Sequence, residues 1–162
     1  MTHQLKITLA DSEPEVWRRV LVASDITLAN LHTVIQQAMG WENVNDYRFT
    51  LGVGQAPQNL QQTLGDIECQ RLYYTYDSKS GWLHRIEIEK SDAETNKRLP
   101  VCLAGESACP PEGTGGVWGY DELLARLEDT DDPDYLDLID KYSSFDPDTF
   151  DLKAANERLN QQ

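Results

Sequence analysis

The chain has 162 residues, with 28 acidic against 14 basic side chains and a formal net charge of −14. Hydrophobic residues make up 40%, and a chain of this length buries roughly two thirds of its unfolded surface, which excludes a chain disordered in bulk. So acidic a chain is a poor match for phosphate backbones, and a basic partner suits it better than direct nucleic-acid binding.

In chain order, Leu5, Ile7 and Leu9 alternate with polar neighbours, and no apolar signal core or membrane-length stretch occurs, so a cytoplasmic protein without membrane association is expected. After a turn at Asp11-Ser-Glu-Pro14, the run Val16-Trp-Arg-Arg-Val-Leu-Val22 predicts the second strand of a hairpin. Arg18 and Arg19, adjacent on that strand, are expected to point to opposite faces. Thr27 predicts the cap of a helix with Leu28, Leu31, Ile35 and Met39 on its apolar face and Gly40 at its left-handed end. His32 on that face reads as a hydrogen-bonded core histidine. Further strands are expected over Tyr47–Leu51, Leu72–Tyr76 and Leu83–Ile88, the last two around a turn at Ser78–Gly81.

The segment from Cys102 to Tyr120 holds Pro110, Pro111 and, in its later part, glycines at 113, 115, 116 and 119, and predicts a built loop rather than a helix or strand. Beyond it, Tyr120–Leu127 is amphipathic. Asp132-Pro133-Asp134 and Asp146-Pro147-Asp148 each place a carboxylate before a proline, predicting helices over Pro133–Tyr142 and Pro147–Leu159. These helices are expected to cover the sheet with Leu123, Leu124, Leu127, Leu136, Ile139, Phe150 and Leu159. The Asp129–Asp134 run lacks the turn glycine and distal glutamate of a calcium loop. Charge is uneven: residues 1–118 hold 15 acidic and 10 basic side chains, residues 119–162 hold 13 and 4, giving −5 and −9. The expected class is α+β: a mostly antiparallel sheet in the order β-β-α-β-β-β, one helix on a face and a C-terminal layer of about three helices. Residues 1–162 read as one domain, 1–118 forming sheet, helix and loop, and 119–162 its acidic helical part.

Three cysteines without an export signal are expected to be thiols. His84, Cys102 and Cys109, with Asp77 or Glu112, form a donor set of the type zinc takes, although the two cysteines are not spaced as a Cys-x-x-Cys knuckle. Buried thiols pinning the loop to the sheet explain the same cysteines, and no cofactor is required by that reading. Cys109 with His84 as its base would be a nucleophile pair. Trp41, Trp82 and Trp118 stand at a helix exit and in glycine-containing loops, where a ring closes a core or lines a pocket.

Many of these residues resemble the plasmid pRiA ORF-three-like family, also labelled as TnpR-like passenger proteins of a mobile insertion element. The resemblance rests on Val16-Trp-Arg-Arg19, Leu31-His32, Ala38-Met-Gly-Trp41, Tyr76-Asp77, Gly81-Trp82, His84, Cys102, Gly105, Ala108-Cys-Pro-Pro-Glu112, Gly119-Tyr120 and Phe145-Asp-Pro147. It implies the same α+β layout and no particular reaction. Asn45, Asp46 and Tyr47, then Ser78, Lys79 and Ser80, and Gly113 depart from the family's usual His-Leu-His, Phe-Gly-Asp and Asp, as a degenerate site would. The resolvase label needs a clustered set of arginines around a nucleophile, and Arg48, Arg71 and Arg85 are scattered. The reading adopted is a non-enzymatic binding or interaction module for an unidentified small molecule or protein, using Tyr76, Asp77, Trp82, His84, Glu112, Trp118 and Tyr120. The alternative is a metal- or cysteine-dependent enzyme, or its inactive descendant, at His84, Cys102 and Cys109.

Overall fold

The computed structural model describes residues 1–92 and 95–161. The two alternating segments form β1 (Thr2–Leu9) and β2 (Trp17–Ala23), paired antiparallel with Leu5 opposite Val20 and Lys6 opposite Arg19. Leu5, Ile7, Leu9, Val20 and Val22 share the buried face, and Lys6 and Arg19 lie on the other. In α1 (Leu28–Met39), Thr27 Oγ1 accepts from the Asn30 N–H at 3.2 Å, and left-handed Gly40 ends the helix, both as predicted. Strands β3 (Tyr47–Thr50), β4 (Arg71–Tyr76) and β5 (Trp82–Ser91) fall where the sequence places them.

A sixth strand, β6 (Val101–Glu106), takes the start of the segment expected to be loop. Its apolar beginning is extended because β2 offers a free edge, with Val20 opposite Cys102. The sheet runs β3-β4-β5-β1-β2-β6 and every neighbouring pair is antiparallel. The fold is therefore α+β, with one strand more than the sequence predicts.

The C-terminal helices are α2 (Gly116–Glu128), α3 (Tyr135–Lys141) and α4 (Leu152–Leu159). Asp146-Pro147 does not open a helix. The Asp146 carboxylate instead accepts from the Asp148 N–H at 3.0 Å and the Thr149 hydroxyl at 2.7 Å, closing a turn. Asp151 caps α4 by accepting from the Ala154 N–H at 3.0 Å. Of the expected cover residues, Leu123 and Leu159 are buried and Phe150 is half-buried, but Leu136 is 75% exposed and Ile139 37%. The reason is placement: α4 packs on α1 and β6, whereas α3 packs on α2.

One side chain ties these layers together. Arg18, 1% exposed, points inward from β2 and donates from Nε to the Ala38 carbonyl at 3.0 Å and from Nη2 to the Met39 carbonyl at 3.3 Å. Its Nη1 donates to the carbonyls of Trp17 at 2.8 Å and Glu106 at 3.0 Å. The guanidinium thus closes the C-terminal end of α1, where the helix leaves its carbonyls unpaired and the dipole favours a cation. Its carbon lies 3.9 Å from the centre of the Phe150 ring. Phe150 approaches so closely that a Cβ at Gly105 would stand 2.7 Å from it and 2.8 Å from the Trp17 carbonyl oxygen, so only glycine fits. Burial pushes the Arg18 pKa down to about 10, leaving it cationic at neutral pH. Arg158 of α4 adds a second donor, to the Gln37 carbonyl at 2.7 Å. The Asn156 side chain pairs with both backbone groups of Cys102, at 2.8 and 2.9 Å, and so caps the outer edge of β6.

Arg18→Met strands buried carbonyls on three segments, and Arg18→Lys supplies no planar fork to reach them. We expect losses of about 3 and about 2 kcal/mol, respectively, in urea unfolding; losses under about 1 kcal/mol in both variants would count against this role.

Candidate functional site

The turn joining β4 to β5 brings an aromatic and polar group to one end of the sheet. Trp41, at the exit of α1, donates from Nε1 to Nε2 of His84 at 3.1 Å. Nδ1 of His84 lies 3.2 Å from the Tyr74 carbonyl and 3.1 Å from that of Trp82, so this nitrogen carries the proton and both ring positions are engaged. Trp41 also packs against the Tyr76 and Trp82 rings, 5.2 and 5.0 Å between centres. Tyr76, Trp82 and His84 are fully buried and Asp77 nearly so. They are walls of the core and not a surface that meets a ligand, which corrects the expectation placed on these four residues. For Tyr76, Trp82 and His84 the cause is register, which turns Leu72, Tyr74, Tyr76, Trp82, His84 and Ile86 to the buried face, whereas Asp77 lies in the turn after β4.

His84 cannot serve as the expected metal ligand or catalytic base either, because its lone pair is taken by the Trp41 N–H. Burial pushes its pKa down to about 4, with Arg18 lowering it further against the opposing carbonyl hydrogen bonds. Cys102 Sγ donates to the Ala104 carbonyl at 3.4 Å. Cys109 is half-buried beside Gly40, and burial raises both thiols above their ordinary range despite the nearby Arg18. That is the reverse of an activated nucleophile. Among the described residues no three His, Cys, Asp or Glu side chains converge to hold a metal ion.

His32 is a core histidine, as predicted. It stacks on Tyr47 with 3.5 Å between ring centres. Tyr74 Oη receives the Gln36 amide at 2.9 Å and lies 2.6 Å from His32 Nδ1, while Nε2 lies 2.8 Å from Asn43 Oδ1. Tyr74 therefore donates to Nδ1 and His32 donates from Nε2. Burial also lowers the His32 pKa.

Glu112 is a clamp. Its carboxylate accepts from the Tyr76 hydroxyl at 2.8 Å, the Glu42 N–H at 2.9 Å and the Asn45 amide at 3.3 Å, tying the glycine-proline loop to the segment after α1. Asp46 accepts from the Ser78 N–H at 3.0 Å, and the Ser80 hydroxyl donates to Asp77 at 2.8 Å. Gly116, at φ +77°, lies so close to Ser80 that a Cβ would collide with its carbonyl oxygen. Arg18, caged by carbonyls, has Arg158 beside it in a small hollow with Cys109, while Arg19 pairs with Glu89 at 2.7 Å and Arg85 with Glu87 at 2.8 Å.

The open concavity lies elsewhere. A cleft of about 480 Å³ is bounded by the β1–β2 turn (Ser12, Glu13, Pro14 and Val16), by α2 and α3, and by residues 143–148. Leu9, Val117, Leu124, Leu127 and Ile139 give it apolar walls; Tyr120, Tyr142 and Phe145 add rings; Glu13, Asp121, Glu128 and Asp148 are its carboxylates. Beside it, sharing Val117 and Asp121, a second depression of about 470 Å³ runs past Asp11, Gly81 and Trp118, which is 88% exposed. Of the sequence-selected surface residues, Trp118 and Tyr120 line these two depressions. The rest of the cleft was missed, since its lining comes from five separate stretches, with only Val16 and the amphipathic stripe of α2 as local signals.

A family described as plasmid pRiA4b ORF-3-like protein matches residues 1–154. The chain belongs to that family. It is 34% identical to "Uncharacterized protein y4hQ" of Sinorhizobium fredii over 168 residues, covering 94% of this chain and 85% of that protein. The crystal structure of a protein of unknown function, MM3350 from Methanosarcina mazei Go1, superposes with a TM-score of 0.83 at 31% identity, covering 94% of this chain and 96% of the other. Set against the family pattern, the departing positions Asn45, Asp46, Ser78 and Ser80 are all engaged in hydrogen bonds here. Gly113 takes a positive φ in the exposed loop. Among the described residues, no helix is long and apolar enough to cross a membrane.

Because the folded pKa of His84 is depressed, the unfolded chain binds the extra proton: the contribution is complete above pH 6.5 and is lost as pH falls towards 4. The shift is worth about 3 kcal/mol. Urea unfolding of the native chain should therefore lose about that much more stability between pH 6.5 and 4 than His84→Phe does, whereas parallel profiles would show that His84 takes up its proton without cost.

Proposed function

We propose that the protein is a non-enzymatic binding module whose ligand enters the cleft between the β1–β2 turn and α2–α3. The observation that carries this is the cleft's make-up: an open concavity of about 480 Å³ with aliphatic and aromatic walls and charged groups confined to carboxylates. That volume falls in the range of small-ligand sites, and the mixture of apolar lining with few polar groups is what such sites present. The groups first suggesting catalysis are spent on structure: His84 on Trp41, Cys102 on Ala104, and Glu112 on three donors. Trp118, exposed beside the cleft, offers a large ring to whatever extends beyond it.

The test is a fragment screen of positive, neutral and negative compounds, read by ¹H–¹⁵N and methyl NMR shifts on the intact chain. Shifts should gather on Leu124, Leu127, Ile139 and Val117, and Leu124→Trp, which fills the cleft, should abolish them while leaving the β-sheet resonances in place. Hits confined to other surfaces, or unaffected by that substitution, would overturn the reading.

A further inference from the structure

The cleft has rings and acids but no base. Tyr120 and Phe145 meet edge to face, 6.2 Å between centres, and Tyr142 completes an aromatic wall. Asp121 precedes Leu124 by one turn of α2, and Asp148 stands on the opposite side, in the connection to α4. Both carboxylates act on the Tyr120 hydroxyl, whose pKa is pushed up to about 12 by burial first and then by Cys109, Asp148 and Asp121. The two carboxylates and Tyr120 line the same cleft from different segments of chain. Glu13 and Glu128 add two more at the rim.

Among the described residues, no lysine or arginine lines this cleft. The cations of this region, Arg126 and Lys141, line a different depression with Gly113 and Glu122, and Arg126 is held by Asp132 at 2.8 Å and Asp134 at 3.1 Å. The carboxylates of Glu13, Asp121, Glu128 and Asp148 have no hydrogen bond or ion pair with another described residue, so no described cation pairs with them. Lys141 already rides over the Tyr142 ring, with Nζ 5.3 Å from its centre, which is the attraction an ammonium feels for such a face.

From this combination we infer that the cleft takes an organic cation, an ammonium group carrying an alkyl or aryl body. The body lies against Leu124, Leu127, Ile139 and Phe145, and the ammonium sits among Tyr120, Asp121 and Asp148. Aromatic faces with adjacent carboxylates suit an ammonium twice over, through the ring quadrupole and through direct charge attraction, and they disfavour an anion of the same shape. This inference rests on the cleft being the binding site.

The experiment uses three probes of matched shape: 4-phenylbutylamine, 4-phenylbutanol and 4-phenylbutyrate. Each is titrated into the full chain at pH 7 and low salt, with NMR shifts at Leu124 and Ile139 as readout. The amine should bind at least about tenfold more tightly than the alcohol, and the acid should be weaker than either. Asp121→Asn with Asp148→Asn should lower amine affinity by about tenfold and leave alcohol affinity within about twofold, and salt at about 0.5 M should narrow the same gap. Equal binding of amine and alcohol overturns the ligand class while leaving the cleft as a site. Failure of all three to perturb the cleft overturns both.

Discussion

A buried guanidinium without a carboxylate partner organises this protein. Arg18 gathers four carbonyl oxygens, from the last turn of α1, from β2 itself and from the end of β6, and sits over the Phe150 ring ahead of α4. Taking that charge out of water is costly, and the cost is met only because every segment that must be joined presents an acceptor in its plane. The same centre sets the chemistry around it. Burial holds the neighbouring His84 neutral and Arg18 adds to the effect; Arg18 favours thiolate at Cys102 and Cys109, but burial outweighs it at both. Gly105 is fixed as glycine by the same packing, since Phe150 reaches Arg18 through the space a side chain would fill.

With the interior so committed, the conspicuous polar and aromatic residues of the middle of the chain become structural. Trp41, Tyr76, Trp82 and His84 pack together, with Trp41 donating to His84 and the buried Trp82 indole N–H meeting no partner among the described residues, and Glu112 locks the loop over the end of the group. The open cleft lies on the side of the molecule where α2 and α3 meet the β1–β2 turn. There the chain's acidity, concentrated after residue 119, borders an apolar hollow. A hydrophobic concavity edged by one sign of charge selects for ligands of the other sign, and the exposed Trp118 extends the same surface.

The elements with local signals were legible in the sequence. Thr27 and Gly40 mark both ends of α1, because capping is decided by a few neighbouring residues. Alternation marks the strands of the hairpin for the same reason. Strand β6 was not legible, since its extended form depends on the free edge of β2 some 80 residues earlier in the chain. Asp146 was misread because an aspartate before proline caps a turn as readily as a helix, and only the position of Asp151 decides between them. The site suffered most. Tyr76, Trp82 and His84 advertise chemistry by residue type, but which face of a strand they occupy is a matter of register, and that face is the core. The cleft residues, drawn from Leu9 to Asp148, come together only in the folded chain.

The central claim, that Arg18 is a fixed and dry junction, is tested most directly by hydrogen exchange of its Nε–H, followed by ¹⁵N NMR after transfer to heavy water. The donor sits 3.0 Å from the Ala38 carbonyl in a site 1% exposed, so its signal should outlast those of Arg19 and Arg85 and disappear together with the slowest core amides. An Arg18 signal lost as fast as those of the surface arginines would mean that the guanidinium is open to water and that the fold is organised by something else.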